Sequence, residues 1–232
     1  MTPSVHICDD LEELNRRALK LFLDHTTGEG TKTVVLSGGR TPEGFYRLLA
    51  SRSGVDWQGI HLFMGDERWV APDHPHSNYR MIRESLLSGI SLPEENFHRI
   101  ETALPPHECA ERYEKEVKEF FGGKPHFDLV YLGMGSDGHV LSIFPGDRAI
   151  FEKKRIAVAV STDFRPSGWR ITLTLPVVNM AQCVVFMVAG REKAETVKKV
   201  IEEPSGSLPA ELVRPERGEL VWLLDREAGS LL

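Results

Sequence analysis

Four apolar runs of four to six residues each stop at, or one residue short of, a glycine or a glycine-bearing turn. They are Thr33-Val34-Val35-Leu36 before Ser37-Gly38-Gly39, Ile60-His61-Leu62-Phe63-Met64 before Gly65, Phe127-Asp128-Leu129-Val130-Tyr131-Leu132 before Gly133, and Cys183-Val184-Val185-Phe186-Met187-Val188 before Ala189-Gly190. Runs that are almost wholly apolar, rather than alternating, are the mark of strands buried on both faces. Segments of helical period separate them. Asp9 or Asp10 can cap a helix through about His25, with Leu11, Leu14, Leu19, Phe22 and Leu23 on its apolar face. Thr41 as cap with Pro42 in the first helical position predicts a helix to about Ala50. Ser77 predicts another through about Leu87, and a further one spans about His107 to Phe121, ended by Gly122-Gly123. Three more strands are expected at Ile156–Val160, Arg170–Leu175 and Leu220–Leu224, with a short helix around Val177 to Met180 and a longer one ending near Glu202. Strand and helix alternate without a linker, repeat or low-complexity tract. The expectation is α/β: one domain over residues 1–232, a mainly parallel sheet flanked by helices on both faces, Rossmann-like.

In such folds the turns after the strands are where ligands bind. The richest is Gly133-Met134-Gly135-Ser136-Asp137-Gly138-His139, followed by Val140-Leu141-Ser142-Ile143-Phe144-Pro145-Gly146. Glycine admits positive φ and close approach of a ligand to the backbone. Asp137 and His139, two apart in a turn, can converge on one pocket, and a carboxylate beside an imidazole is the minimum equipment for general-base chemistry near neutral pH. Ser37-Gly38-Gly39 runs into a helix start, so glycine N–H groups and the positive helix end together make an anion cradle. The same residues also suit an ordinary tight turn, and they match neither the P-loop nor the dinucleotide pattern, so no nucleotide is indicated. Asp66 follows a strand end. Arg80 and Lys193 sit in first helical turns where a cation can reach an anion, although either can equally be a solvated surface charge. His74 and His76 in a proline-bearing loop lack a third partner for a metal and are read as surface.

Composition narrows the partners. With 28 basic against 34 acidic residues the net charge is −6, which disfavours polyanion and hence nucleic-acid binding while leaving room for one small anion. No run approaches a membrane span and no signal peptide is visible. Cys8, Cys109 and Cys183 are scattered and odd in number, which predicts free buried thiols in a reducing compartment. The expectation is a cytoplasmic protein, a monomer or small homo-oligomer, with no membrane partner, no metal and no cofactor.

The stretches Leu36-Ser-Gly-Gly-Arg-Thr-Pro, Gly65-Asp-Glu-Arg-Trp-Val, Ser77-Asn-Tyr-Arg, Gly133-Met-Gly-Ser-Asp-Gly-His with Ser142-Ile-Phe-Pro-Gly, Arg170-Ile-Thr-Leu-Thr-Leu-Pro, Gly190-Arg-Glu-Lys-Ala and Gly218-Glu-Leu-Val-Trp-Leu-Leu-Asp occur in this order almost from end to end. Singly they are weak; in this order and spacing the chain resembles the 6-phosphogluconolactonases, a family within the glucosamine-6-phosphate deaminase-like fold group. The resemblance implies a single sugar-phosphate lactonase domain that hydrolyses 6-phospho-D-glucono-1,5-lactone to 6-phosphogluconate, the second step of the oxidative pentose phosphate pathway. It implies His139 as the base that activates water and Asp137 as the group that orients it. It further implies that Asp66 lines the sugar site and that Ser37, Gly38, Gly39, Thr41, Arg80 and Lys193 gather about the phosphate. The family's usual Lys-Pro-Pro is here Arg165-Pro166-Ser167, which keeps a cation as guanidinium, and its usual Thr-Ala after Asp-Gly-His is Val140-Leu141. Arg165 and Arg170 are expected in the substrate site, Arg170 as one candidate for the oxyanion.

Two other readings are open to this scaffold. Deaminases of the fold group carry a glutamate shortly after the Asp-Gly-His, in an Asn-Glu-Pro context, where this chain has Phe144 before Pro145. A deaminase must shuttle protons between amino sugar and ring, whereas lactone hydrolysis needs only an activated water and a protonated leaving oxygen. A silent sugar-phosphate sensor would have no use for both Asp137 and His139.

Overall fold

The computed structural model describes residues 3–232. The chain runs β1 (Ser4–Cys8), α1 (Leu11–Thr26), β2 (Lys32–Leu36) and α2 (Arg40–Ala50), then β3 (Ile60–Met64), β4 (Asp66–Arg68) and α3 (Asn78–Ser85). It continues through β5 (Phe97–His98), α4 (Pro106–Phe121), β6 (Leu129–Leu132), β7 (Ala157–Ser161) and β8 (Trp169–Leu173). It closes with α5 (Leu175–Asn179), β9 (Cys183–Val188), α6 (Ala194–Glu202) and β10 (Glu219–Asp225).

Seven strands form one sheet in the order β1-β10-β9-β6-β2-β3-β5, with every pairing parallel. Register decides which side chains face which layer. Val35 lies beside Phe63 on one flank and Val130 on the other, so Phe63 and Val130 share a face and the next residue, Tyr131, points to the opposite one. On the first face Phe63 meets Phe120 and Phe121 of α4. On the second, Tyr131 packs against Phe45 of α2 and donates its hydroxyl to the Ala18 carbonyl of α1. Phe45, Phe63 and Tyr131 are fully buried and each contributes roughly 1.5–3 kcal/mol by leaving water, while Phe120 and Phe121 are half-buried over Phe63.

The local signals act much as the sequence predicts. The Asp10 carboxylate accepts from Glu13 N at 2.8 Å to start α1, Ser77 Oγ accepts from Arg80 N at 3.1 Å to start α3, and Gly122 ends α4 in the left-handed region at φ 62°. The start of α2 differs. The helix begins at Arg40, behind Gly39 at φ 103° and without a side-chain cap, so Thr41 sits inside the first turn and does not cap it. A position with that φ disfavours any side chain, and the glycine therefore sets the boundary two residues early.

A second difference is architectural. The segments expected to extend the main sheet at 156–160 and 170–175 become β7 and β8, and with β4 they form a separate antiparallel sheet in the order β4-β8-β7. The charged tripeptide Asp66-Glu67-Arg68 owes its strand conformation to pairing with Arg170–Thr172. β1 also escapes the periodicity, because an edge strand with Val5 and Ile7 exposed needs no apolar run. Among the described residues no helix is long and apolar enough to cross a membrane.

The chain leaves β2 for β3 on one side, while β6 docks on the other side of β2. That reversal opens a crevice at the carboxyl ends of β2 and β6, the place where sheets of this kind bind ligands.

Candidate active site

The crevice is a cleft of about 850 Å³ including its open mouth, and four strand ends supply its walls. The end of β2 contributes Ser37, Gly38 and Gly39. The Ser37 carbonyl accepts the Tyr46 hydroxyl at 2.8 Å, which fixes the strand end against α2. The Ser37 side-chain oxygen, by contrast, is buried without a hydrogen-bond partner, as is Oδ1 of Asn78, and both residues line the cleft. Buried polar atoms left unpaired are costly, and their presence here marks a place prepared for a polar ligand. Gly38 has no alternative: a Cβ there would lie 2.0 Å from Asn78 Oδ1. Arg40 and Thr41 follow in the first turn of α2 and also line the cleft, so a glycine-rich strand end, a helix start and an arginine border the same space.

β3 and β4 contribute Asp66, which accepts the Ser142 hydroxyl at 2.6 Å and faces the cleft. Its neighbour Glu67 is 2% exposed and accepts from Ser77 Oγ and from the backbone N–H groups of Arg68, Asn78 and Tyr79. Burial pushes the Glu67 carboxyl above its ordinary range against the pull of these four bonds. Glu67 is thus the clasp that ties the start of α3, and with it Asn78, to the cleft wall.

β6 ends in the acid–base turn. One oxygen, Asp137 Oδ1, accepts from His139 N at 3.1 Å and lies 2.6 Å from His139 Nδ1. With the carboxylate on Nδ1 that nitrogen carries the proton and Nε2 is left as the acceptor, an assignment made from the hydrogen-bond pattern. Gly135 makes room for the pair, since a Cβ there would lie 2.1 Å from His139 Nδ1 and 2.3 Å from Asp137 Oδ1. The turn is held from outside by Lys193 Nζ, which donates to the Met134 carbonyl, by Thr196 Oγ1 on the Ser136 carbonyl, and by Ala210 N on the Gly138 carbonyl. Burial lowers the Lys193 ammonium from its usual range, with Glu192 and Asp137 working in the opposite sense.

Of the residues expected in the site, Ser37, Gly38, Gly39, Thr41, Asp66, His139 and Lys193 line this one cleft, with Asp137 behind His139. Three arginines do not. Arg80 uses its fork on Glu84 Oε1 at 2.8 Å and the Asp73 carbonyl at 2.9 Å, outside the cleft. Arg165 stands exposed in the connection between β7 and β8. Arg170 is buried on β8, donates to the Ser167 and Trp169 carbonyls, and has its guanidinium pKa lowered by burial and by nearby Arg68. It braces the small sheet. Conversely, Arg40, Arg68 and Asn78 reach the cleft without having been singled out. Arg40 had a readable signal, a cation directly after Ser-Gly-Gly; the other two needed the β4–α3 fold. His74 and His76 lie together with ring centroids 5.6 Å apart, and among the described residues no three His, Cys, Asp or Glu side chains converge as a metal-binding group.

A glycine-rich helix start and an oriented imidazole share the switch-point cleft of a parallel α/β sheet, an arrangement suited to acid–base chemistry on a small anionic ligand. The chain belongs to the family of glucosamine-6-phosphate isomerases/6-phosphogluconolactonase, whose model matches residues 9–222. A 6-phosphogluconolactonase of Synechocystis sp. is 40% identical over 243 residues, covering 100% of this chain and 99% of that protein. The crystal structure of a 6-phosphogluconolactonase from Thermotoga maritima superposes with a TM-score of 0.86 at 32% identity, covering 97% of this chain and 100% of the other. A monomeric glucosamine-6-phosphate deaminase shares the fold with a TM-score of 0.85 at 23% identity, covering 99% and 100% of the two chains.

Proposed function

We propose that this protein hydrolyses 6-phospho-D-glucono-1,5-lactone to 6-phospho-D-gluconate. The observation that carries the reading is the meeting, in one cleft, of an anion cradle at Gly38-Gly39-Arg40 and an Asp137-bound His139 with an aromatic ring, Phe144, packed on the imidazole. The full-length likeness to proteins named 6-phosphogluconolactonase supports the same substrate.

The phosphate sits against the Gly38 and Gly39 N–H groups and the start of α2, with Arg40 and Lys193 as cations. Lys193 keeps donors beyond the one it gives to Met134. Anchoring this end fixes the ring so that its ester reaches His139, which removes part of the orientational cost of the reaction. His139 Nε2 takes a proton from water as the oxygen attacks C1, and Asp137 stabilises the imidazolium that forms. The tetrahedral oxyanion then collapses, and the imidazolium returns the proton to the departing ring oxygen. Asp66 is held by Ser142 at the sugar wall and is suited to accept ring hydroxyls.

The deaminase reading requires a further carboxylate near the base. Phe144 occupies that place, with its ring centroid 4.8 Å from that of His139. The deciding assay offers freshly made lactone and glucosamine 6-phosphate side by side, with correction for spontaneous opening. Rapid loss of lactone that His139→Asn abolishes is expected, and ammonia release from the amino sugar would overturn the proposal.

A further inference from the structure

The Asp137–His139 pair is only half sheltered, with 31% of the His139 side chain and 40% of the Asp137 side chain exposed. A single hydrogen bond between exposed groups is too weak to hold an imidazole in one orientation. Something else must limit its rocking, and the next turn supplies it. Val140 and Ile143 exchange two backbone hydrogen bonds, Val140 N to Ile143 O at 3.3 Å and Ile143 N to Val140 O at 2.9 Å. Between them Leu141 takes φ 51°, the positive φ that lets a two-residue hairpin turn close. The next pair outward in this small ladder is His139 and Phe144, and residues so placed project from the same face as neighbours.

Their rings meet with centroids 4.8 Å apart at 49°. Phe164, from the connection between β7 and β8, then stacks on Phe144 at 5.1 Å and 26°, and its centroid is 6.5 Å from that of His139. Phe164 is 54% exposed, so core burial does not explain an aromatic residue there. The turn itself cannot swing away, because Ser142 Oγ donates to Asp66 and Ser142 N lies on Thr172 Oγ1.

We propose that Phe144, backed by Phe164, is a positioning residue for His139. It closes one side of the imidazole while Asp137 and the bare backbone of Gly135 hold the Nδ1 edge, so that Nε2 stays directed at the attacking water. Only the kinetic arm of the test depends on the lactonase reading.

In Phe144→Leu, kcat for the lactone is expected to fall about tenfold with KM within twofold, since a displaced base slows the chemical step while the phosphate cradle is intact. Phe164→Ala, at an exposed position that the fold tolerates, is expected to lower kcat about threefold, and the double variant to fall no further than Phe144→Leu. The second readout is the ¹⁵N–¹H imidazole spectrum of His139, assigned by its absence in His139→Asn. It should show one dominant Nδ1-protonated form in the wild type and move toward a tautomer average in both phenylalanine variants. An unchanged kcat, a rise in KM alone, or an unaltered imidazole spectrum overturns the inference. A wild type without lactonase activity sinks the functional proposal instead, and the imidazole spectrum still decides this one.

Discussion

Replacing Gly135 by alanine isolates the geometry of the acid–base turn from everything else in the cleft. Gly135 has no left-handed φ, so alanine brings no backbone strain. The only new feature is one methyl group, placed 2.1 Å from His139 Nδ1 and 2.3 Å from Asp137 Oδ1. Ordinary contact begins near 3.4 Å, so the imidazole must retreat by about 1.3 Å, and the 2.6 Å bond to Asp137 cannot survive unaltered. Misplacement of a reacting group by about 1 Å costs on the order of 10²-fold in rate, or about 2.7 kcal/mol of transition-state stabilisation. The phosphate cradle is built on other strand ends, so KM should stay within about threefold. Steady-state kinetics on fresh lactone give both numbers, and a thermal melt within a few degrees of the wild type shows that the fold is intact. A variant that keeps more than a third of wild-type kcat would refute the arrangement of Gly135, Asp137 and His139 described above.

The companion substitution, Gly38→Ala, pushes a Cβ to 2.0 Å from Asn78 Oδ1 in the cradle; KM for the phosphorylated lactone is expected to rise at least tenfold with a much smaller change in kcat. Arg40→Ala is expected to raise KM about tenfold, the usual order for one charge-assisted hydrogen bond. Arg80→Ala should leave KM within twofold because its fork holds Glu84 and Asp73, and the reverse ranking would overturn the assignment of the cradle. Stability should respond to acid through His61, which lies 3.1 Å from His98 Nε2 at the β3–β5 edge, with Glu116 on the far side of His98 and Glu95 nearby. Burial, then His98, lower the His61 pKa, so the unfolded chain binds its proton first. The His61 contribution is therefore complete above the unfolded value near 6.5 and is lost as pH falls from there through the lower folded value. Thermal melts at pH 7.5 and 5 should show a smaller acid-induced drop for His61→Gln than for the wild type, and equal drops would refute the coupling.

The parallel sheet and both turns that matter were legible in the sequence, because Val34–Leu36 and Leu129–Leu132 are apolar throughout and end in glycine. The acid–base pair was legible for the same local reason: Asp137 and His139 are two residues apart. The small antiparallel sheet was not, since Asp66–Arg68 has no strand propensity and becomes a strand only against Arg170–Thr172. Arg80 and Arg170 looked like substrate cations because a sequence shows charge without showing what the charge already holds, and Arg165 because a sequence does not show that its loop stands outside the cleft lining. Arg170 is spent on the Ser167 and Trp169 carbonyls and Arg80 on Glu84, facts that depend on folding alone. Asn78 was invisible as a cleft residue because Glu67, eleven positions earlier, is what draws it in.

The two ends of the cleft are held mainly by different elements. Glu67 and Asn78 hold the cradle, whereas Thr196 and Ala210 hold the turn from α6 and the loop that follows it. Two links join them: Ser142 donates to Asp66, which Asn78 Nδ2 also approaches, and Lys193 donates to the Met134 carbonyl of the turn while lining the same cleft as the cradle. Burial lowers the Lys193 ammonium from its usual range, whereas an anion in the cleft would favour its charged form. On the proposed function, the phosphate anchor and the turn that bears His139 would thus share the Lys193 side chain. In this way binding energy from the unreactive end of the substrate can be realised at the reacting carbonyl.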